Sequence, residues 1–119
     1  MSAIDDPTTP EHSRAFAVDA SIAGTRATVR PRGELDLATA PQVEQHVSAL
    51  WSEGAETVVL DLGAVSFFDS SALRLLMRLQ TQAADNNRGF LLRDCSPAVM
   101  RVLELTRLDD RFAVDRGVD

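Results

Sequence analysis

The chain has 119 residues, of which 45% are hydrophobic and 25% are charged, as is typical of one globular domain. Its formal net charge is −6 and it contains no cluster of Lys or Arg, which argues against nucleic-acid binding. A single cysteine, Cys95, excludes an internal disulfide and a cysteine-rich metal site. No apolar run reaches the length of a membrane span, so we expect no membrane partner.

The N-terminal segment, residues 1–14, is polar and acidic and contains prolines at positions 7 and 10. It lacks the apolar stretch of a secretory signal, so we predict a disordered tail and a cytoplasmic protein. The folded domain is predicted to cover residues 15–119, because no internal repeat, linker or second domain is apparent in that range.

The first half of the domain reads as a hairpin, a helix and a strand. Alternating apolar residues predict a β-hairpin that ends at residues 33–36, with Pro31 marking an edge strand or a bulge. Thr39 followed by Pro41 predicts the start of a first helix. The apolar, β-branched residues 57–62 then predict a buried central strand.

The second half alternates helices and short strands. A second helix is predicted to start near Asp69 or Ser70, followed by a strand at residues 90–92, a third helix from Ser96 and a last strand near residues 112–114. The apolar stripe of the second helix is predicted to comprise Ala72, Leu76, Leu79 and Ala83. The order β-β-α-β-α-β-α-β predicts an α/β fold, a mixed sheet with parallel central strands.

The sequence Asp-Ser-Ser-Ala-Leu at residues 69–73 places two hydroxyls where a strand gives way to a helix. Aspartate and serine lead the ranking of helix N-caps, so these residues taken alone are most simply a cap. A hydroxyl beside a helix N-terminus is also suited to phosphorylation, because free backbone N–H groups tolerate an anion there. Both interpretations stay open at this point, and they are compatible.

The sequence carries no pattern typical of an active site. Neither serine lies in a Gly-x-Ser-x-Gly elbow, and no phosphate-binding loop or dinucleotide fingerprint occurs. His12 and His46 have no neighbours that indicate a metal site. We therefore expect no catalytic residues, no cofactor and no metal.

Three segments resemble a known family. They are residues 33–36 (Gly-Glu-Leu-Asp), residues 58–71, and residues 96–99 followed by Leu103 and Leu108. In this order, over roughly residues 15–115, the chain resembles the STAS domain and most closely the bacterial anti-sigma factor antagonists. The resemblance implies a single STAS-type domain, with a mixed sheet and helices packed mainly on one face.

The resemblance also implies a function. In that family a cognate anti-sigma factor, a serine kinase, phosphorylates the serine after the aspartate, which here is Ser70. Asp36, Asp69 and Ser71 match positions that shape the site. The implied protein binds the kinase and so frees a sigma factor for transcription, is released on phosphorylation, and is restored by a phosphatase. Ala72 departs from the usual glycine, favours the helix by about 1 kcal/mol, and is expected to add a methyl where the kinase approaches.

Partner contacts are expected along the second helix. Leu73 and Met77 lie at the edge of its apolar arc beside Arg74, so they are either partner contacts or part of the core. Gly33 to Asp36 is alternatively a plain strand end. The alternative functions are a stand-alone STAS adaptor in a sensory complex, a STAS domain that binds a small ligand such as a nucleotide, and a structural domain without a switch.

Overall fold

The computed structural model describes residues 16–115, so the predicted tail at residues 1–14 lies outside the described residues. Within that range the chain forms five strands and three helices. In chain order these are β1 (Ala17–Ala23), β2 (Arg26–Leu35), α1 (Ala40–Ser52), β3 (Thr57–Asp61), β4 (Val65–Phe68), α2 (Ser70–Asp85), β5 (Gly89–Arg93) and α3 (Pro97–Leu105).

The strands form one mixed sheet in the order β1-β2-β3-β5, with β4 also paired to β2. The β1–β2 hairpin is antiparallel, whereas β2 pairs in parallel with β3 and β4, and β3 pairs in parallel with β5. The predicted α/β architecture with parallel central strands is therefore confirmed.

Strands β3 and β4 lie end to end along β2. Residues 26–29 of β2 pair with β3, and residues 33–35 pair with β4. Pro31 lies between these two stretches, outside the residues that pair with β3 and β4, and its register partner is Val18 of β1. An edge position for Pro31 was predicted and is wrong, because β2 is internal; the alternative of a bulge is closer, since the register shifts between Gly33 and Glu34.

Two further elements differ from the prediction. Strand β4 was not predicted, and its pattern of buried, exposed, exposed, buried residues does not alternate as that of a half-buried strand does. The last predicted strand is instead one parallel bridge between Val114 and Leu92, while Phe112 is buried in the core.

The core lies on one face of the sheet. Alternate residues of the strands, such as Val29 and Leu60, join the apolar stripes of all three helices in a single buried cluster. The stripe predicted for α2 is confirmed, and Leu75 also belongs to it. The other face carries ion pairs, among them Arg30 with Asp61 at 3.2 Å. None of the helices within residues 16–115 is long and apolar enough to cross a membrane.

Candidate functional site

The site lies where β2 and β4 end side by side. Leu35 is the register partner of Phe68 in this parallel pair. Asp36 and Asp69 directly follow these two partners, so the carboxyl ends of both strands place an aspartate at the same edge of the sheet. The fold thus brings together two acidic positions that are 33 residues apart in the sequence.

Asp69 caps helix α2. Its backbone is extended, with φ −119° and ψ −169°, and its Oδ1 accepts a hydrogen bond from the Ala72 backbone N–H at 3.0 Å. Ser70 is then the first helical residue and is exposed. Within residues 16–115 its hydroxyl has no hydrogen-bond partner. The cap and the free hydroxyl are therefore supplied by two different residues.

Ser71 differs from its neighbour. It is half-buried, and its Oγ accepts a hydrogen bond from Nη2 of Arg74 at 3.4 Å. Of the two adjacent hydroxyls, Ser70 is therefore the more accessible to a partner protein.

Asp36 organises the loop between β2 and α1. Its Oδ1 accepts hydrogen bonds from the backbone N–H groups of Ala38 at 2.9 Å and Thr39 at 3.1 Å. Thr39 holds the predicted N-cap position, but its hydroxyl donates to the Glu34 carbonyl at 2.8 Å and does not bond to a helix N–H. These bonds fix the Asp36 carboxylate next to the end of β2.

Two exposed apolar side chains border these aspartates, and the sequence reasoning missed both. Leu37, directly after Asp36, is 74% exposed, and Phe67, two residues before Asp69, is 47% exposed. A signal for Phe67 was present, because successive strand residues point to opposite faces and Phe68 is buried. Leu37 had no comparable signal, since it lies in a loop.

Ala72 does not protrude toward the surface that a partner approaches. Its side chain is fully buried and belongs to the core cluster. The expectation that its methyl would lie in the path of a kinase is therefore wrong: the first turn of α2 directs position 72 inward while Ser70 faces outward.

The predicted contact residues on α2 occupy different environments. Leu73 and Met77 are half-buried and pack against the core, whereas Arg74 is exposed. Arg74 and Met77 line a shallow groove beside α1, and Leu73 does not. The remaining lining residues of this groove are Glu44, Arg78, Thr81, Gln82 and Asp85.

Charges along α2 are unequally paired. Arg78 donates two hydrogen bonds to the Glu44 carboxylate, at 3.2 and 3.0 Å, and these bonds raise the pKa of its guanidinium above the ordinary value. Arg74 has no carboxylate partner among residues 16–115. Arg74 and Arg78 thus lie one helical turn apart, and of the two only Arg78 is held by a carboxylate among residues 16–115.

The described part of the chain offers no cluster for a metal ion: residues 16–115 contain no group of three or more His, Cys, Asp and Glu side chains suited to one. Cys95 is half-buried, and burial raises the pKa of its thiol. A thiol in that state is a weak nucleophile.

The chain is similar to several known proteins. The STAS domain profile matches residues 17–119. An anti-sigma-B factor antagonist of Staphylococcus epidermidis is 29% identical over 91 residues, which cover 76% of this chain and 84% of that protein. The crystal structure of an anti-sigma factor antagonist from Mycobacterium paratuberculosis superposes with a TM-score of 0.73 and 29% identity, over 83% of this chain and 84% of that one.

A second similar structure shows the same fold in a modified protein. It is the Bacillus cell fate determinant SpoIIAA in its phosphorylated form, with a TM-score of 0.65 and 21% identity, over 86% of this chain and 91% of that one.

Proposed function

The chain belongs to the STAS domain family, among relatives that are anti-sigma factor antagonists, and we propose that it binds an anti-sigma serine kinase and is released when that kinase phosphorylates Ser70. The unphosphorylated form would free a sigma factor for transcription. The observation that carries the proposal is the exposed hydroxyl of Ser70, which lies beside the Asp69 cap and has no hydrogen-bond partner among residues 16–115. The chain itself needs no catalytic group, because the kinase and ATP supply the chemistry.

Ser70 is the preferred acceptor over Ser71 because the two hydroxyls differ in exposure. It is exposed, whereas Ser71 is half-buried and bonded to Arg74. A phosphate at the first helical residue also lies near the helix N-terminus, where an anion contributes roughly 0.3–1 kcal/mol of stabilisation. In the transfer, the γ-phosphoryl group of ATP moves to Oγ of Ser70, the serine O–H bond breaks, its proton passes to a base on the kinase, and ADP leaves.

Phosphorylation would act on the partner surface and leave the fold intact. It adds about −1.5 to −2 charges at pH 7, beside Asp69 and the end of β2 that carries Asp36. A partner seated over Leu37 and Phe67 would have to desolvate that new charge, which is costly without a matching cation. Release is the expected result.

The proposed partner surface is centred on Ser70. It combines the exposed apolar side chains Leu37 and Phe67 with Arg74 and Met77, which line the groove beside α1. Leu73 packs against the core, so we expect it to support this surface and not to contact the partner directly. A phosphatase would remove the phosphate and return the protein to the form that binds the kinase. We propose that this cycle takes place in the cytoplasm, which contains both ATP and RNA polymerase.

The test is phosphate transfer from candidate anti-sigma serine kinases. We expect the purified protein to gain one phosphate with kinase and ATP, to lose this acceptor in Ser70→Ala, and to keep it in the matched control Ser71→Ala. Mass spectrometry of the intact protein measures the result. Phosphorylation that persists in Ser70→Ala, or no binding to any such kinase, would contradict the proposal.

Two additional variants sharpen the outcome. Because the Ala72 methyl is buried, Ala72→Gly should not accelerate transfer. Ser70→Glu should lose kinase binding while it keeps the fold. Stable kinase binding without any phosphate transfer would instead indicate an adaptor. If the protein shows no kinase binding and no transfer, the small-ligand and structural alternatives remain.

A further inference from the structure

We propose that Arg74 binds the phosphate on Ser70 and thereby leaves the groove that it lines in the unmodified protein. The proposal rests on the phosphorylation of Ser70 and adds to it a specific receptor within this chain. Arg74 would make the switch act at two places, since a negative charge appears at Ser70 and a positive charge is withdrawn from the groove beside Met77.

The helix geometry brings the two groups together. Residues four apart lie on the same face of a helix, with about 5–6 Å between their Cβ atoms. Helical side chains lean toward the N-terminus, so Arg74 leans toward Ser70 and Ser71. The structure shows this directly, because Nη2 of Arg74 lies 3.4 Å from Oγ of Ser71.

Arg74 is also the available cation. Its guanidinium has no carboxylate partner among residues 16–115, and its hydrogen bond to Ser71 is long and has an uncharged acceptor, so a phosphate would outcompete it. Arg78, one turn further along, is held by two hydrogen bonds to Glu44. Moving Arg78 to the phosphate would break that pair, whereas moving Arg74 breaks no ion pair within the described range, residues 16–115.

The phosphate needs such a partner. Asp69 lies directly before Ser70, and its carboxylate already takes the Ala72 N–H that an incoming anion would otherwise use. Two adjacent anions at one helix start repel each other. A guanidinium offers paired N–H donors that match phosphate oxygens, and these charge-assisted hydrogen bonds are about twice as strong as neutral ones.

The experiment uses the full chain with phosphoserine incorporated at position 70 during translation, so no kinase is required. Phosphorus-31 NMR titration gives the second pKa of the phosphate. We expect Arg74→Gln to raise this pKa by about half a pH unit, because the nearby cation favours the dianion. The matched control Arg78→Gln should leave it unchanged. Equal values in the wild-type and Arg74→Gln proteins would overturn the proposal.

Two readouts separate a charge contact from a structural effect. The difference between wild type and Arg74→Gln should shrink in 1 M salt, where an exposed charge pair is screened. Nitrogen-15 NMR of the arginine Nε–H groups should show the Arg74 signal moving on phosphorylation while the Arg78 signal stays in place; the reverse pattern would contradict the assignment. Because kinase activity enters neither measurement, failure here leaves the kinase proposal standing, and failure of kinase transfer leaves this result standing.

Discussion

The starts of helices α2 and α3 use the same residue type in opposite ways. At α3, Ser96 is the N-cap and is buried; its hydroxyl donates to the Val65 carbonyl at 2.6 Å and accepts from the Val99 N–H at 3.4 Å. At α2, Asp69 supplies the cap and Ser70 stays exposed. A hydroxyl at a helix start is thus free for regulation only where another side chain does the capping.

The two serines are also connected through the fold. Val65, whose carbonyl Ser96 binds, begins β4, and β4 leads directly to Asp69 and Ser70. The Ser96 backbone N–H donates to Leu62, just before that strand. The buried serine therefore helps to hold the strand that presents the exposed one.

The largest expected difference between these starts is in stability. Ser96→Ala removes the cap and leaves the Val65 carbonyl unsatisfied in a buried position, so we expect the free energy of unfolding to fall by about 1–3 kcal/mol. Urea denaturation followed by circular dichroism measures this change.

The matched control for Ser96→Ala is Ser52→Ala, which removes an exposed hydroxyl at the last residue of α1. We expect that variant to stay within about 0.5 kcal/mol of wild type. If both variants lose the same free energy of unfolding, the buried hydrogen bond from Ser96 to Val65 contributes no more than an exposed hydroxyl. The proposed difference between the two helix starts would then be wrong.

Local sequence signals explain why both helix starts were predictable. Asp-Ser before a helical apolar stripe and Ser96-Pro97 before another are cap patterns that act within one turn. Which hydroxyl is buried depends on contacts with β4, and Val65 of that strand lies 31 residues before Ser96 in the sequence. The sequence could therefore place the serines at helix starts, but it could not assign Asp69 as the sole cap.

Longer-range pairing explains the errors. Strand β4 was missed because its residues do not alternate in hydrophobicity, and its pairing with β2 over residues 33–35 is set by the fold. The proximity of Asp36 to the site was predicted only through the family resemblance, whereas the register of Leu35 with Phe68 accounts for it physically. The inward direction of Ala72, in contrast, was already contained in the predicted apolar stripe of α2, and the expectation of a methyl in the path of the kinase came from the family resemblance alone.

The second expected effect isolates the Asp69 cap. Asp69→Ala removes the acceptor for the Ala72 N–H, and we expect a loss of about 1 kcal/mol in the free energy of unfolding. Asp69→Asn keeps an acceptor of similar rank at this position, so it should retain most of the stability. An asparagine variant as unstable as the alanine variant would show that charge, and not the hydrogen bond, carries the cap.

The smallest expected effect on stability belongs to Ser70 itself. Ser70→Ala removes an exposed hydroxyl that has no partner among residues 16–115, and surface changes of this kind stay within about 0.5 kcal/mol. Urea denaturation beside Ser96→Ala makes the comparison direct. A loss as large as that of Ser96→Ala would mean that Ser70 is a structural residue after all. A near-neutral change would leave the residue free to carry a charge, because a side chain that contributes little to folding can be modified without unfolding the domain.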